Sequence, residues 1–231
     1  MFNIKKYIYI NNLLKNKSKN TKIIAISKNQ SLDDIKNAIS QGVSIFGENR
    51  VQEAKFKFQK LLAENNNIEL HLTGPLQTNK VKDALKIFDV FHTLDREKLL
   101  KEFAKHPDII KNKSFFIQVN TGKEETKSGV FPENVKNFYK LCEFYKVRNV
   151  IGLMCIPPIN DSPKKHFKIL KEISKEINLD KLSIGMSSDY EKALDFNPTY
   201  IRLGTILFGK RNWKNYLFGQ VLLMIQLLKI F

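Results

Sequence analysis

The sequence predicts a (β/α)8 barrel, a TIM barrel in a single domain, and three observations carry that prediction. Short apolar runs rich in β-branched residues alternate with longer amphipathic stretches; there are eight such runs; and no stretch rich in Gly, Ser or Pro divides the 231 residues. Strands that alternate with helices pair in parallel through crossover connections. Eight strand–helix units in about 210 residues fall at the short end of the closed barrel's size range. An open doubly wound sheet is the competing arrangement. Against it, no Gly-rich dinucleotide fingerprint follows the first strand.

The elements follow in order. Ile4, Tyr7, Ile8, Asn11 and Leu14 recur at helical spacing, so residues 1–20 read as a helical segment packed on the barrel. The barrel itself is expected over residues 21–211. Its strands are read at Lys22 to Ser27, Ser44 to Gly47, Glu69 to Thr73, Asp89 to Leu94, Phe115 to Asn120, Asn149 to Met154, Lys181 to Ile184 and Thr199 to Leu203. Between them lie helical patterns. From Leu32 to Gln41, Ile35, Ala38 and Ile39 share one face. From Glu133 to Lys146, the apolar side carries Val135, Phe138, Tyr139, Leu141, Cys142 and Tyr145. Lys164-Lys165-His166 after Pro163 opens a solvated helix, and another helix starts near Tyr190.

Residues 212–231 form an atypical apolar tail. The run Tyr216 to Phe231 contains Gln220, Gln226 and Lys229, and its sixteen residues fall short of the roughly 20 needed to cross a bilayer. It reads as a helix docked on the barrel, with an interfacial anchor, a self-association surface or an altered C-terminus as alternatives.

Composition narrows the function. The net charge of +16 first points to nucleic acid, through counterion release at phosphates. Of the 39 basic residues, however, 34 are Lys and 5 are Arg, and specific nucleic-acid sites lean on the bidentate fork of Arg. The lysines are scattered between apolar positions on nearly every helical pattern, so the charge reads as a solvated surface and no nucleic-acid partner is expected. Cys142 and Cys155 cannot build a disulfide framework. The apolar run Tyr7 to Ile10 is too short for a signal peptide, which makes a cytoplasmic location the expectation. His71, His92, His106 and His166 show neither HxxxH nor HExxH spacing, so no metal is expected.

In a barrel of this kind the working residues lie at the C-terminal ends of the strands, often with a phosphate site after strands seven and eight. The first strand ends at Lys28, whose amine would enter the barrel mouth, where loss of solvent favours the neutral, nucleophilic form. After strand seven comes Gly185-Met186-Ser187-Ser188-Asp189, and after strand eight Arg202-Leu203-Gly204-Thr205. Small residues ahead of a helix present N–H groups and hydroxyls to an anion; Ser187, Ser188 or Asp189 acting only as helix caps is the plainer alternative. A lysine facing two such turns describes an aldehyde-bearing phosphate ester held at both ends. Pyridoxal 5′-phosphate (PLP) fits, with Lys28 forming the Schiff base and the two final loops holding the phosphate. Arg202 then falls beside the pyridine nitrogen. A guanidinium only donates hydrogen bonds, so that nitrogen stays unprotonated and the ring electronically quiet.

The same residues resemble a known family. Ala25-Ile26-Ser27-Lys28-Asn29-Gln30 resembles the lysine segment of the pyridoxal phosphate homeostasis proteins, which share their barrel with the N-terminal domain of alanine racemase. Phe46-Gly47-Glu48-Asn49-Arg50-Val51-Gln52-Glu53 is similar to their most distinctive block, and His71 to Lys80 to their third-strand block. Gly152-Leu153-Met154, Gly185-Met186-Ser187 and Arg202-Leu203-Gly204 with Phe208-Gly209 complete the set, from about Thr21 to Arg211.

The resemblance implies that Lys28 attaches PLP and that Arg202 faces the ring nitrogen. It places Ser187, Gly204 and Thr205 at the phosphate, with the Met186 backbone contributing, and Asn49 facing the cofactor. It also implies a protein that buffers PLP or delivers it to PLP-dependent apoenzymes, without established turnover; loss of such proteins disturbs vitamin B6 and amino-acid pools. A monomer is expected. The alternative is a PLP-dependent amino-acid racemase. Such enzymes carry a second base on a β-domain after the barrel, whereas 20 residues follow Arg211 here. His71 reads as a core or rim histidine and Cys155 as a buried, inert thiol. Glu48 and Arg50 are expected to pair with each other or with neighbouring elements.

Overall fold

The computed structural model describes residues 1–209 other than Asn66. Lys210, Arg211 and the apolar tail over 212–231 lie outside the described residues. Eight strands form: β1 Lys22–Ile26, β2 Ile45–Glu48, β3 Glu69–Leu72, β4 Val90–Leu94, β5 Ser114–Val119, β6 Val150–Cys155, β7 Lys181–Met186 and β8 Tyr200–Leu203. Each lies within two residues of its expected run. All neighbours are parallel, and β1 pairs with β8, Ile24 opposite Arg202, which closes the barrel in sequence order. The open sheet is thereby excluded.

The helices are α1 Ile4–Lys17, α2 Leu32–Ser40, α3 Val51–Glu64, α4 Val81–Leu85, α5 Glu97–Phe103, α6 Pro107–Ile110, α7 Val135–Phe144, α8 Pro163–Glu176, α9 Tyr190–Ala193 and α10 Thr205–Phe208. Their apolar stripes and the outward side chains of the strands form the larger core. On α2, Ser31 caps the helix by accepting from the Asp34 N–H at 3.1 Å. On α1 the inward stripe is Tyr7, Ile10 and Leu14, spaced three and four apart. Ile8 is one position off that stripe and faces solvent, contrary to the expected face. Phe2 is buried against the rings of Tyr7 and Phe208, which ties the start of the chain to α10.

A second, smaller core fills the barrel with Ile24, Ile26, Val90, Phe116, Met154 and Tyr200. Strand alternation decides which residues enter it. A Cβ on Gly47 would lie 2.5 Å from Ile26 Cδ1 and 2.8 Å from Ile24 Cγ2, so any side chain at this inward position would have to displace the barrel core. Its neighbour Glu48 consequently points outward, towards α3. Barrel interiors are ordinarily dominated by branched aliphatic side chains; this one also encloses His71, His92, Ser183 and Arg202, all buried.

Many surface lysines pair one helical turn away with a carboxylate, as Lys60 does with Glu64, Lys101 with Glu97 and Lys165 with Asp161. Exposed pairs of this kind are worth a few tenths of a kcal/mol. At the start of α8 the expected solvated face holds for Lys164 and Lys165 but not for His166. That ring is buried, with Nδ1 3.0 Å from Thr121 Oγ1 and Nε2 3.1 Å from Asp161 Oδ2.

Candidate functional site

A cavity of about 470 Å³ opens at the C-terminal ends of the strands. It is lined by Lys28, Asn49, Met186, Ser187, Arg202, Gly204 and Thr205, together with Ile26, Thr73, Ile156 and Ser188. Every residue singled out for the site from the sequence therefore borders one space. Volume and position are those of a small-molecule site.

Lys28 follows β1 in a tight turn. Gln30 N–H donates to Ser27 O at 3.0 Å, and Asn29 takes a left-handed φ of 61°. The turn is clamped from behind by a buried ionic cluster. Lys57 on α3 donates to Ser27 O at 2.7 Å and pairs with Glu48 Oε1 at 2.6 Å and Glu53 Oε1 at 2.8 Å. Ser27 Oγ donates to Glu48 Oε1 at 2.6 Å, and Asn29 N–H to Glu53 Oε1 at 2.5 Å. Burial pushes the Glu48 carboxyl up to about 7 despite the ammonium beside it, and its Oε2 has no hydrogen-bond partner. Glu48 thus belongs to the support of the lysine turn and not to the cavity wall.

Asn49 follows β2, and its Oδ1 accepts from Thr73 Oγ1 at 3.1 Å. The two strand ends approach so closely that a Cβ on Gly74 would lie 2.6 Å from Asn49 O. Across the mouth, the N–H groups of Gly204 and Ile206 point at Ser187 Oγ, at 3.3 and 3.4 Å. With the Thr205 side chain beside them they form a concentrated set of donors, suited to a multiply charged oxyanion. Met186 lines the cavity, but its N–H donates to Asp189 Oδ1 at 2.6 Å. Asp189 spends its side chain on that bond and makes no cap bond to α9.

Arg202 forms part of the floor. Its Nη1 donates to Ser183 O at 2.6 Å and to Ser183 Oγ at 2.8 Å, and its Nη2 donates to Cys155 O at 2.9 Å. The planar fork is therefore held from two strands. Cys155 is buried, and burial pushes its thiol up to about 12, which keeps it protonated and inert.

The sequence places the chain in a known family. The alanine racemase N-terminal domain family matches residues 10–212. The pyridoxal phosphate homeostasis protein of Aquifex aeolicus is 37% identical over 204 residues, covering 83% of this chain and 88% of that protein. Its counterpart from Buchnera aphidicola is 40% identical over 202 residues, covering 82% and 86%. The chain belongs to the pyridoxal phosphate homeostasis protein family. Among solved structures, PipY of Synechococcus elongatus without PLP superposes with a TM-score of 0.79 at 28% identity, covering 89% of this chain and 99% of that one. PipY with PLP bound superposes with a TM-score of 0.74 over the same shares. Alanine racemase from Acinetobacter baumannii, 18% identical with a TM-score of 0.69, shares the fold over 90% of this chain and 62% of its own.

Sequence reasoning missed Thr73, Ile26 and Ile156 on the cavity wall, and Lys57 and Glu53 behind it. Thr73 carried a signal, since it ends the third strand at the barrel mouth. Lys57 carried one too: it stands on the apolar face of α3, beside Ala54, Phe58 and Leu61. A lysine in that company needs a buried partner. Among the described residues, no cluster of His, Cys, Asp or Glu is placed to hold a metal ion, and no helix is long and apolar enough to cross a membrane.

Proposed function

We propose that the chain binds PLP in the cavity at the mouth of the barrel and buffers it or hands it to enzymes that use it. The observation that carries this reading is the placement of one amine, one guanidinium and one cluster of oxyanion donors around a single cavity. The donor set fits the three polar ends of PLP. Lys28 supplies the amine for covalent attachment. Ser187 Oγ, Thr205 and the Gly204 and Ile206 N–H groups would hold the phosphate, with Met186 and Ser188 alongside. Arg202 would face the ring nitrogen, to which it only donates. Asn49, positioned by Thr73, would lie against the ring. When bound, PLP supplies a reactive aldehyde and a conjugated ring that spreads negative charge.

A carrier is favoured over a racemase by the wall itself. Among the described residues lining the cavity, Lys28 is the one side chain suited to take a proton from carbon near neutral pH; the others are hydroxyls, amides, apolar groups and a guanidinium. Racemisation needs a base on each face of the substrate. The curated relatives are named for homeostasis, which agrees with this reading.

Titrating the purified protein with PLP should produce a visible absorption band that saturates at one equivalent, and Lys28→Ala should lose the band. A band of equal strength in Lys28→Ala would refute the assignment of the lysine. Exchange of the Cα proton of alanine or serine with solvent deuterium, catalysed by the loaded protein at an enzymic rate, would replace the carrier with the racemase.

A further inference from the structure

The barrel interior holds a continuous polar chain that the cavity alone does not explain. From the cavity downward, Arg202 Nη1 lies 2.8 Å from Ser183 Oγ, which is 2.9 Å from His92 Nδ1. His92 Nε2 lies 2.8 Å from His71 Nδ1, and His71 Nε2 lies 2.5 Å from Glu69 Oε1. Arg202, Ser183, His92 and His71 are buried, whereas the Glu69 side chain is 37% exposed at the opposite mouth. The chain thus crosses the barrel from solvent to the cavity floor, through β3, β4, β7 and β8.

Elementary donor and acceptor rules fix its direction. A carboxylate only accepts, so His71 Nε2 carries a proton. A neutral His71 then accepts at Nδ1, which places the proton of His92 on Nε2. A neutral His92 accepts at Nδ1 from the Ser183 hydroxyl, and Ser183 Oγ in turn accepts from Arg202, which only donates. Every link donates towards Glu69, and no member is left unsatisfied. Aligned links of this kind polarise one another.

We propose that Glu69, His71, His92 and Ser183 form an aligned hydrogen-bond relay that orients Arg202 beneath the cavity and carries the protonation state of the Glu69–His71 end to the ligand's ring nitrogen. They are positioning residues, acting through Arg202, and the ligand end of the relay rests on the proposed PLP site. Burial lowers both histidines from their ordinary range, so the resting state is the neutral one. One proton added at His71 makes both its nitrogens donors. His92 must then accept at Nε2 and hold its single proton on Nδ1, and Ser183 loses the acceptor for its hydroxyl proton. Two ring protons become three, and the His71–His92 and His92–Ser183 links reverse together, while Arg202 still donates to Ser183 Oγ, whose own proton must find another acceptor beside the guanidinium. The groups facing His71 are Glu69, His92 and the Tyr200 ring, with Asp89 and Lys22 acting at longer range. Those facing His92 are His71, Ser183, Phe116 and Tyr200, with the Arg202 charge beyond Ser183.

The test uses Glu69→Gln, a change at the half-exposed end that spares the fold. Histidine NMR on the ligand-free protein should find both rings as neutral Nε2–H tautomers. In the variant the His92 ring resonances should shift along with those of His71, although residue 69 does not touch His92. An Nδ1–H tautomer at either ring, or a shift confined to His71, would overturn the relay. In the PLP-loaded proteins, the pH midpoint of the visible band should differ between wild type and Glu69→Gln, with Lys28 attachment retained in both. Coincident midpoints would overturn transmission to the ligand. Failure of the wild type to take up PLP would instead refute the PLP site, leaving the ligand-free result to judge the relay.

Discussion

The Lys57 ammonium and the Glu48 carboxylate form an ion pair at 2.6 Å, with the lysine side chain 5% exposed and the glutamate fully enclosed. Because the same ammonium also donates to Ser27 O, one side chain of α3 joins the end of β2 to the turn that presents Lys28. The pair therefore links fold to function. Losing one partner strands the other in a medium that disfavours charge. Above pH 7, where Glu48 is ionised, Lys57→Met is expected to cost about 3–5 kcal/mol in denaturant unfolding. Adding Glu48→Gln should restore part of it, because the fully enclosed side chain then carries no charge, while Glu53 keeps its own and its bond from the Asn29 N–H. Equal loss in the single and double variants would contradict the pairing.

Glu48 also gives stability a pH dependence of known sign. Its carboxyl is raised from 4.5 to about 7, chiefly by burial. Across that window the unfolded chain is ionised while the folded one keeps its proton. The contribution to stability is complete below the window and is lost as pH rises through it, on the order of 3 kcal/mol in all. His71 and His92 act in the other sense: both are lowered, so their contribution is present above the ordinary histidine value and is lost as pH falls. Subtracting the unfolding profile of Glu48→Gln from that of wild type isolates the glutamate. The difference should fall with rising pH, and a flat difference would refute it.

Ser187 Oγ already gathers the Gly204 and Ile206 N–H groups without a ligand. Ser187→Ala removes one of the donors proposed to hold the phosphate and leaves the core untouched. A hydrogen bond to a charged group is worth about 1.5–3 kcal/mol, so the PLP dissociation constant should rise roughly ten- to a hundred-fold. Unfolding of the ligand-free protein should change little. Unaltered affinity would remove Ser187 from the phosphate site.

Both described thiols are predicted to be unreactive. Cys142 and Cys155 are buried, and burial pushes each up to about 12. A thiol reagent at neutral pH should label them only at the rate of unfolding. Rapid labelling of Cys155 in the native protein would show that the cavity floor opens.

The barrel was legible in the sequence because a parallel strand buried on both faces writes itself as an apolar run, and Ile23 to Ile26, Phe115 to Val119 and Val150 to Cys155 do so plainly. The cavity residues were legible because a closed barrel directs strand ends to one mouth, which brings Lys28 to face Ser187 and Thr205 although they are far apart in sequence. What escaped notice depends on which face a side chain takes and on pairing between elements. Glu48 was open to pairing with Arg50 or with a neighbouring element, and the second holds: Gly47 takes the inward face and sends Glu48 towards Lys57 on α3, a partner the sequence did not single out. His71 and His92 showed no metal spacing and so seemed unremarkable, but parallel registry sets them in contact inside the barrel. Ile8 matched the spacing of α1 and still faces solvent, since Tyr7, Ile10 and Leu14 already define the buried stripe.

One lysine among 34, Lys28, is proposed to hold the cofactor. Borohydride reduction of the PLP-loaded protein, followed by mass analysis of its peptides, measures this directly. A single pyridoxyl group is expected on the peptide containing Lys28, and none at stoichiometric level in Lys28→Ala. Label spread over several surface lysines, or equal incorporation in Lys28→Ala, would contradict it.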